Sequence, residues 1–248
     1  TEISLLRDGK EVVVSNESSL EYKFIPTTAE DITFTAVATN GVEFVEDTLH
    51  ISILGATVDE PRPAGVKNGV NISGDEVTFV LYAPGKESVI LLGDFNNYTA
   101  SNEYMMKRDG DYFWVTIDGL DRNAEYGYQY LVDHTLRVGD PYATKVLDPW
   151  NDAYVSSTYP NLKKYPSAYT SDMVSTFEMN PTAYNWSITD FDRPDKNTLA
   201  IYELLVRDFV SEHSFDAIRA KLDYLATLGI NAIELMPVQE FDNRHSWG

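Results

Sequence analysis

Cysteine is absent from all 248 residues, so neither a disulfide framework nor a thiolate metal site is available, a condition compatible with every compartment. Positive charge is scarce: nineteen Lys and Arg stand against thirty-nine Asp and Glu, a formal net charge of −20. Nucleic acid and anionic membrane surfaces both demand a positive footprint, so neither is expected as a partner. No apolar run approaches the ~20 residues of a membrane helix, and no membrane insertion is expected. No charged-then-apolar signal segment opens the chain, and residue 1 is Thr rather than Met. Dense Asp-x-Asp loops and phosphate-cradling glycine loops are missing as well. The four histidines, His50, His134, His213 and His245, lack metal-ligand spacing and read as surface or loop residues. No cofactor is therefore expected.

What is present is an ordinary globular composition, 43% hydrophobic and 23% charged, at a length that suits one to two domains. Residues 1–54 read as strands. Asp8-Gly9 and Asn40-Gly41 are hairpin signals, and Ile32, Phe34, Ala36 and Ala38 alternate with polar residues between them. This suits part of an immunoglobulin-like sandwich, a domain that runs to roughly 100 residues when whole. Residues 55–65, with two prolines and little apolar content, read as a linker.

A second β-rich module is expected over residues 66–159. Runs at Val77 to Tyr82, Ser88 to Leu92, Tyr112 to Ile117 and Tyr126 to Val132 are separated by Pro84-Gly85, Asp109-Gly110 and Asp118-Gly119. Residues 160–198 lack periodicity and read as an extended connection whose aromatics pack over the next domain. The character then changes over residues 199–248. Leu199 to Val206 is a near-continuous apolar run of the kind expected for a strand buried on both faces. Ser214 is a good N-cap, Ile218, Leu222 and Leu225 keep helical spacing, and Gly229 suits a helix end. A helix over Phe215 to Leu228 and a strand over Ile230 to Met236 have matching lengths, about 21 and 23 Å, so a right-handed βαβ crossover closes. Doubly wound sheets use the same unit, so the pattern alone does not name a fold.

Residue identities go further. IYELLVRDF and GINAIELMPVQEFDNRHSWG resemble the first two strands of the (β/α)8 TIM barrel in the α-amylase family, glycoside hydrolase family 13. LLGDFNNYTASNEYMMKRDGDYFWVTIDGL, with YGYQYLVD and GDPYA after it, resembles the early-set, carbohydrate-binding module 48-like domain that precedes that barrel in isoamylases, pullulanases and branching enzymes. The resemblance implies a multidomain protein: all-β immunoglobulin-like sandwiches, then the first βαβ unit of a TIM barrel. It also implies that the chain stops after the second barrel strand, one residue before a tyrosine that stacks on the sugar in family members.

The implied function is that of the N-terminal part of a retaining glycosidase acting on α-glucans such as starch, glycogen, pullulan or maltooligosaccharides. Such enzymes use two carboxyl groups about 5–5.5 Å apart. In the family these come from strands four and five, so no residue here inherits a catalytic role. Barrel sites lie at the C-terminal ends of the strands. That places Glu240, Asn243, His245 and Trp247 as substrate-cleft candidates, with His245 the one histidine on a functional face. In the module, Tyr98 stands where a stacking tryptophan is expected, Gln129 where a lysine is, and Leu136 near a second tryptophan. Tyr98 remains a weak stacking candidate, and the departures favour a module kept for packing. Calcium, bound by some family members, finds no supporting motif.

Two other functions stay open: a branching transferase, and a non-catalytic glucan-binding scaffold. A cover for the apolar faces of residues 199–248 is also expected, from the rest of the barrel or from a second copy. The stacked β modules point to a periplasmic or extracellular home.

Overall fold

A computed structural model describes residues 2–157 and 159–238. The N-terminal strands β1 (Glu2–Arg7), β2 (Lys10–Ser15), β3 (Glu30–Thr39) and β4 (Phe44–Ile53) form one antiparallel sheet in the order β2-β1-β3-β4. Both expected hairpins form: Arg7 pairs with Lys10 around Asp8-Gly9, and Thr39 pairs with Phe44 around Asn40-Gly41. Asp8, Gly9 and Gly41 all take positive φ, as such turns require. The sheet is a single layer. Its apolar face is met by Tyr22 and Phe24, whose rings lie 6.0 and 6.4 Å from that of Phe34.

The centre of the chain is a two-sheet sandwich. One sheet is β5 (Gly69–Ser73), β6 (Glu76–Tyr82), β9 (Tyr112–Ile117) and β8 (Lys107–Asp109), in that spatial order. The other is built on β10 (Glu125–Val132). One edge of β10 pairs with β7 (Val89–Gly93); the opposite edge takes β13 (Val174–Glu178) and then β11 (Leu136–Val138), and β12 (Val146–Leu147) pairs with β13. Alternation decides the core. Val77, Phe79, Leu81, Phe113 and Val115 point inward from the first sheet, against Val89, Leu91, Tyr128, Tyr130 and Phe177 from the second.

Two expectations are corrected here. Residues 55–65 are no free linker. Glu60 N donates to Arg108 O and Arg108 N to Val58 O, so the segment adds a parallel bridge to β8. Trp114 Nε1 donates to Glu60 O at 2.9 Å, and Arg62 stacks 3.6 Å over Tyr112. Paired backbone and a packed tryptophan hold it against the sheet. Residues 160–198 are no simple connection either, because β13 lies within them and is a buried central strand. The aromatics after it do not pack as expected: Trp186 is 71% exposed and stacks edge-on with Tyr184.

The C-terminal part pairs β14 (Ile201–Leu204) with β15 (Ala232–Leu235) in parallel. Helical segments lie between them. These are α2 (Val206–Phe209), α3 (Phe215–Arg219) and α4 (Leu222–Thr227), which follow the short α1 (Asp152–Val155) in chain order. Ser214 caps α3 by accepting from Ala217 N, and Gly229, at φ 80°, ends α4. The single helix expected over Phe215 to Leu228 is interrupted at Ala220 and Lys221. Local propensity does not explain the break, since Ala220, Lys221 and Leu222 are good helix formers. Leu204, Val206, Ile218 and Leu225 form a small core, but Leu199, Ile201 and Leu235 reach the surface. The apolar run is thus half buried rather than covered on both faces.

One buried carboxylate orders the sandwich. Asp140 Oδ2 accepts from the phenols of Tyr128, at 2.8 Å, and Tyr130, at 3.0 Å, while its Oδ1 accepts from Tyr142 N. Asp140→Ala leaves two buried hydroxyls without an acceptor, and should lower urea-unfolding stability by about 3 kcal/mol. Burial first, and Asp140 second, raise both phenols above their ordinary value of 10.0. Their contribution is therefore fully present below pH 10 and is lost above it, by about 1.4 kcal/mol per pH unit for each tyrosine. In a pH titration followed by tyrosinate absorbance, the exposed tyrosines should ionise first, and a second step from Tyr128 and Tyr130 should coincide with unfolding.

Candidate functional site: a cleft at the ends of the parallel strands

Tyr98 and Gln129 lie at the outer face of the β7-β10-β13 sheet. That face is closed. Tyr98 is only 4% exposed and packs with Ile90, Leu92, Leu147 and Val174. A Cβ at Gly127 would overlap its hydroxyl, so the fit is tight. Burial first, then the nearby Asp94 carboxylate, push its phenol well above the ordinary value. Yet no described group completes a hydrogen bond to that hydroxyl. Tyr98 therefore offers no face to a sugar, which corrects the stacking expectation.

Gln129 explains the closure. Its Nε2 donates to Ser171 O and Met173 O, both at 2.7 Å, and its Oε1 accepts from Thr170 Oγ1 at 2.6 Å. The side chain pins residues 170–173 over the sheet, and Leu162 and Tyr165 complete the cover. A lysine could not make this bonding pattern, since it has no acceptor. Leu136, by contrast, is exposed on β11.

An open concavity of about 620 Å³ lies instead beyond the C-terminal ends of β14 and β15. Val206, Arg207 and Asp208 line it after β14, and Val238 after β15, with His213 and Phe215 at the start of α3. Tyr154, Val155, Ser157 and Tyr159 close it from the segment that follows β12. Ligands in parallel α/β proteins bind at this end of the strands. Arg207 Nε lies 3.0 Å from Asp208 Oδ1, and this hydrogen-bonded pairing holds the Asp208 carboxyl below its ordinary value. His213 Nδ1 contacts the Arg207 carbonyl. Asp208 is the lone carboxylate among the described lining residues, and it is ionised and paired. The arrangement can hold a ligand but has no proton donor and nucleophile pair.

Glu240, Asn243, His245 and Trp247 lie outside the described residues. His213 is an exposed loop residue, as its sequence context implies, and it also lines the cleft. Nothing in the sequence marks Tyr154 and Tyr159, since AYVSSTY follows no recognisable period. Among the described residues no cluster of three or more His, Asp or Glu is placed to hold a metal.

The central sandwich is an all-β, immunoglobulin-like module of two packed antiparallel sheets. Residues 54–151 match the family of carbohydrate-binding module 48, the isoamylase N-terminal domain. Over 184 residues the chain is 29% identical to the malto-oligosyltrehalose trehalohydrolase of Saccharolobus solfataricus, covering 73% of this chain and 27% of that protein. The Rhizobium sp. (strain M-11) trehalohydrolase is 32% identical over 68% of this chain and 25% of its own length. The 1,4-alpha-glucan branching enzyme of Vibrio cholerae is 26% identical over 73% and 24%. The fold is shared with the GBS pullulanase SAP in complex with maltotetraose, at TM-score 0.52 and 23% identity over 71% of this chain and 24% of that one. The chain spans about a quarter of the length of the curated relatives it matches. Residues 54–151 thus carry the carbohydrate-binding module 48 match, and the chain around them is similar to enzymes of the α-amylase family.

The sealed state of Tyr98 has a direct test. Tyr98→Phe removes a buried hydroxyl that lies near the Asp94 carboxylate and completes no hydrogen bond among the described residues, so it should raise stability by about 1 kcal/mol in chemical denaturation. Affinity for maltoheptaose, measured by calorimetry, should not change.

Proposed function

We propose that the protein carrying this chain is a retaining glycosidase acting on α-glucans, and that residues 199–248 begin its catalytic (β/α)8 barrel. The observation that carries this is the order of parts in one chain. A carbohydrate-binding module 48 domain is followed by a parallel βαβ unit whose strand ends open onto a cleft. Relatives named as trehalohydrolases and branching enzymes support an α-glucan as the substrate class. The trehalohydrolases favour hydrolysis over transfer. Their names also favour a malto-oligosaccharide end over an α-1,6 branch point as the substrate feature.

On this reading the catalytic carboxylates lie outside residues 1–248. Glu240, Asn243, His245 and Trp247 border the sugar, and Trp247 supplies a stacking face. The apolar edges at Leu199, Ile201 and Leu235 are covered by the remaining barrel strands. The chain works at a periplasmic or extracellular site.

Three assays on the longer protein separate the readings: reducing-sugar release from soluble starch, trehalose release from malto-oligosyltrehalose, and change of iodine stain for branching. Hydrolysis is expected, and iodine change without new reducing ends would establish the transferase instead. Trp247→Ala should lower kcat/KM on malto-oligosaccharides by about tenfold or more with the unfolding curve unchanged. The 248-residue chain alone should release no sugar, and turnover by it would overturn the placement of the carboxylates.

A further inference from the structure

We infer that Tyr154 and Tyr159 form a sugar-stacking subsite, through which the β module reaches into the cleft at the ends of β14 and β15. The inference rests on the α-glucan reading above and adds the module's own residues to the site. Tyr154 is 70% exposed and Tyr159 is 45% exposed, and both line the cleft opposite Arg207, Asp208 and His213. Tyrosine faces of this kind bury much area on a pyranose ring at little rotamer cost, and the phenol adds a hydrogen-bonding tip.

The turn that bears them is held from below. Asp148 is fully buried, and its Oδ1 accepts from Trp150 N at 2.7 Å and Asn151 N at 3.2 Å, while its own N donates to Asp152 Oδ2. Tyr154 N donates to Asn151 O and Tyr159 N to Val155 O, both at 2.9 Å. A buried carboxylate devoted to a surface turn gives the tyrosines a fixed platform rather than a loose loop.

The chemistry of the cleft selects the occupant. Apolar surface from Val206 and Phe215 lies beside hydroxyl, imidazole and a self-neutralised Arg207–Asp208 pair. A protein of net charge −20 repels an anion but not a neutral, hydroxyl-rich oligosaccharide. An α-glucan chain meets both conditions.

The test is titration of the full 248-residue chain with maltoheptaose, read by calorimetry or NMR shifts. Tyr154→Ala and Tyr159→Ala should each weaken binding about five- to tenfold. Tyr154→Phe, which keeps the ring, should stay within about twofold of the original affinity. Tyr169→Ala, an exposed tyrosine outside the cleft, should leave binding unchanged. Original affinity in both alanine variants, or no binding by the unaltered chain, would overturn the subsite. Loss of binding in Tyr154→Ala, found beside a longer protein that releases no sugar, would uphold the subsite and sink the glycosidase reading. Sugar release with unchanged affinity in the variants would do the reverse.

Discussion

The sandwich depends on one strand that is buried on both faces. Tyr128 and Tyr130 of β10 point inward to Asp140, while Gln129, between them, points outward and is equally buried. Three consecutive polar-bearing side chains are thus taken from water in the middle of a sheet. That is tolerable only because each reaches a partner: the phenols share a carboxylate, and the amide spends both ends on residues 170–173. Remove the strap over Gln129, and the apolar face made by Ile90, Leu92 and Leu131 would meet water too.

This constraint decides which faces of the sandwich stay open. The segment after the family-matched residues returns to insert β13 beside β10, and on its way it crosses the outer face that a binding module would keep open. Tyr98 is drawn into that second core. The open aromatic faces lie elsewhere, on the turn after β12, because Asp148 anchors that turn at the sandwich surface where it faces the parallel strands. The segment after β12 therefore helps to shape the neighbouring cleft, while the sandwich presents no open platform of its own.

Electrostatics play a quieter part. The strong acidity is spread over exposed side chains, and the cation-bearing residues are mostly paired locally, as with Arg108 and Asp59 or Lys107 and Glu60. Exposed pairs of this kind contribute little stability. Their clearer role is to fasten residues 59–62 along β8, alongside the bond from Trp114 Nε1 to Glu60 O.

Much of this was determined by sequence alone. Period-two alternation placed β3 and β9, runs bounded by turn signals placed β6, β7 and β10, and a turn with positive φ calls for Gly, Asp or Asn. Ser214 and Gly229 marked the helical stretch, and the family resemblance rested on short motifs that survive as residue identities. Tertiary structure decided the rest. Val174 to Glu178 sits in a polar, aperiodic segment, and only a vacant edge on β10 makes it a strand. Tyr98 and Tyr154 are the same residue type in similar polar surroundings. One is buried and the other exposed because the chain beyond residue 160 folds back over the first and not the second. Local sequence carries propensity and pattern, but which surface a distant segment will cover is a property of the whole chain.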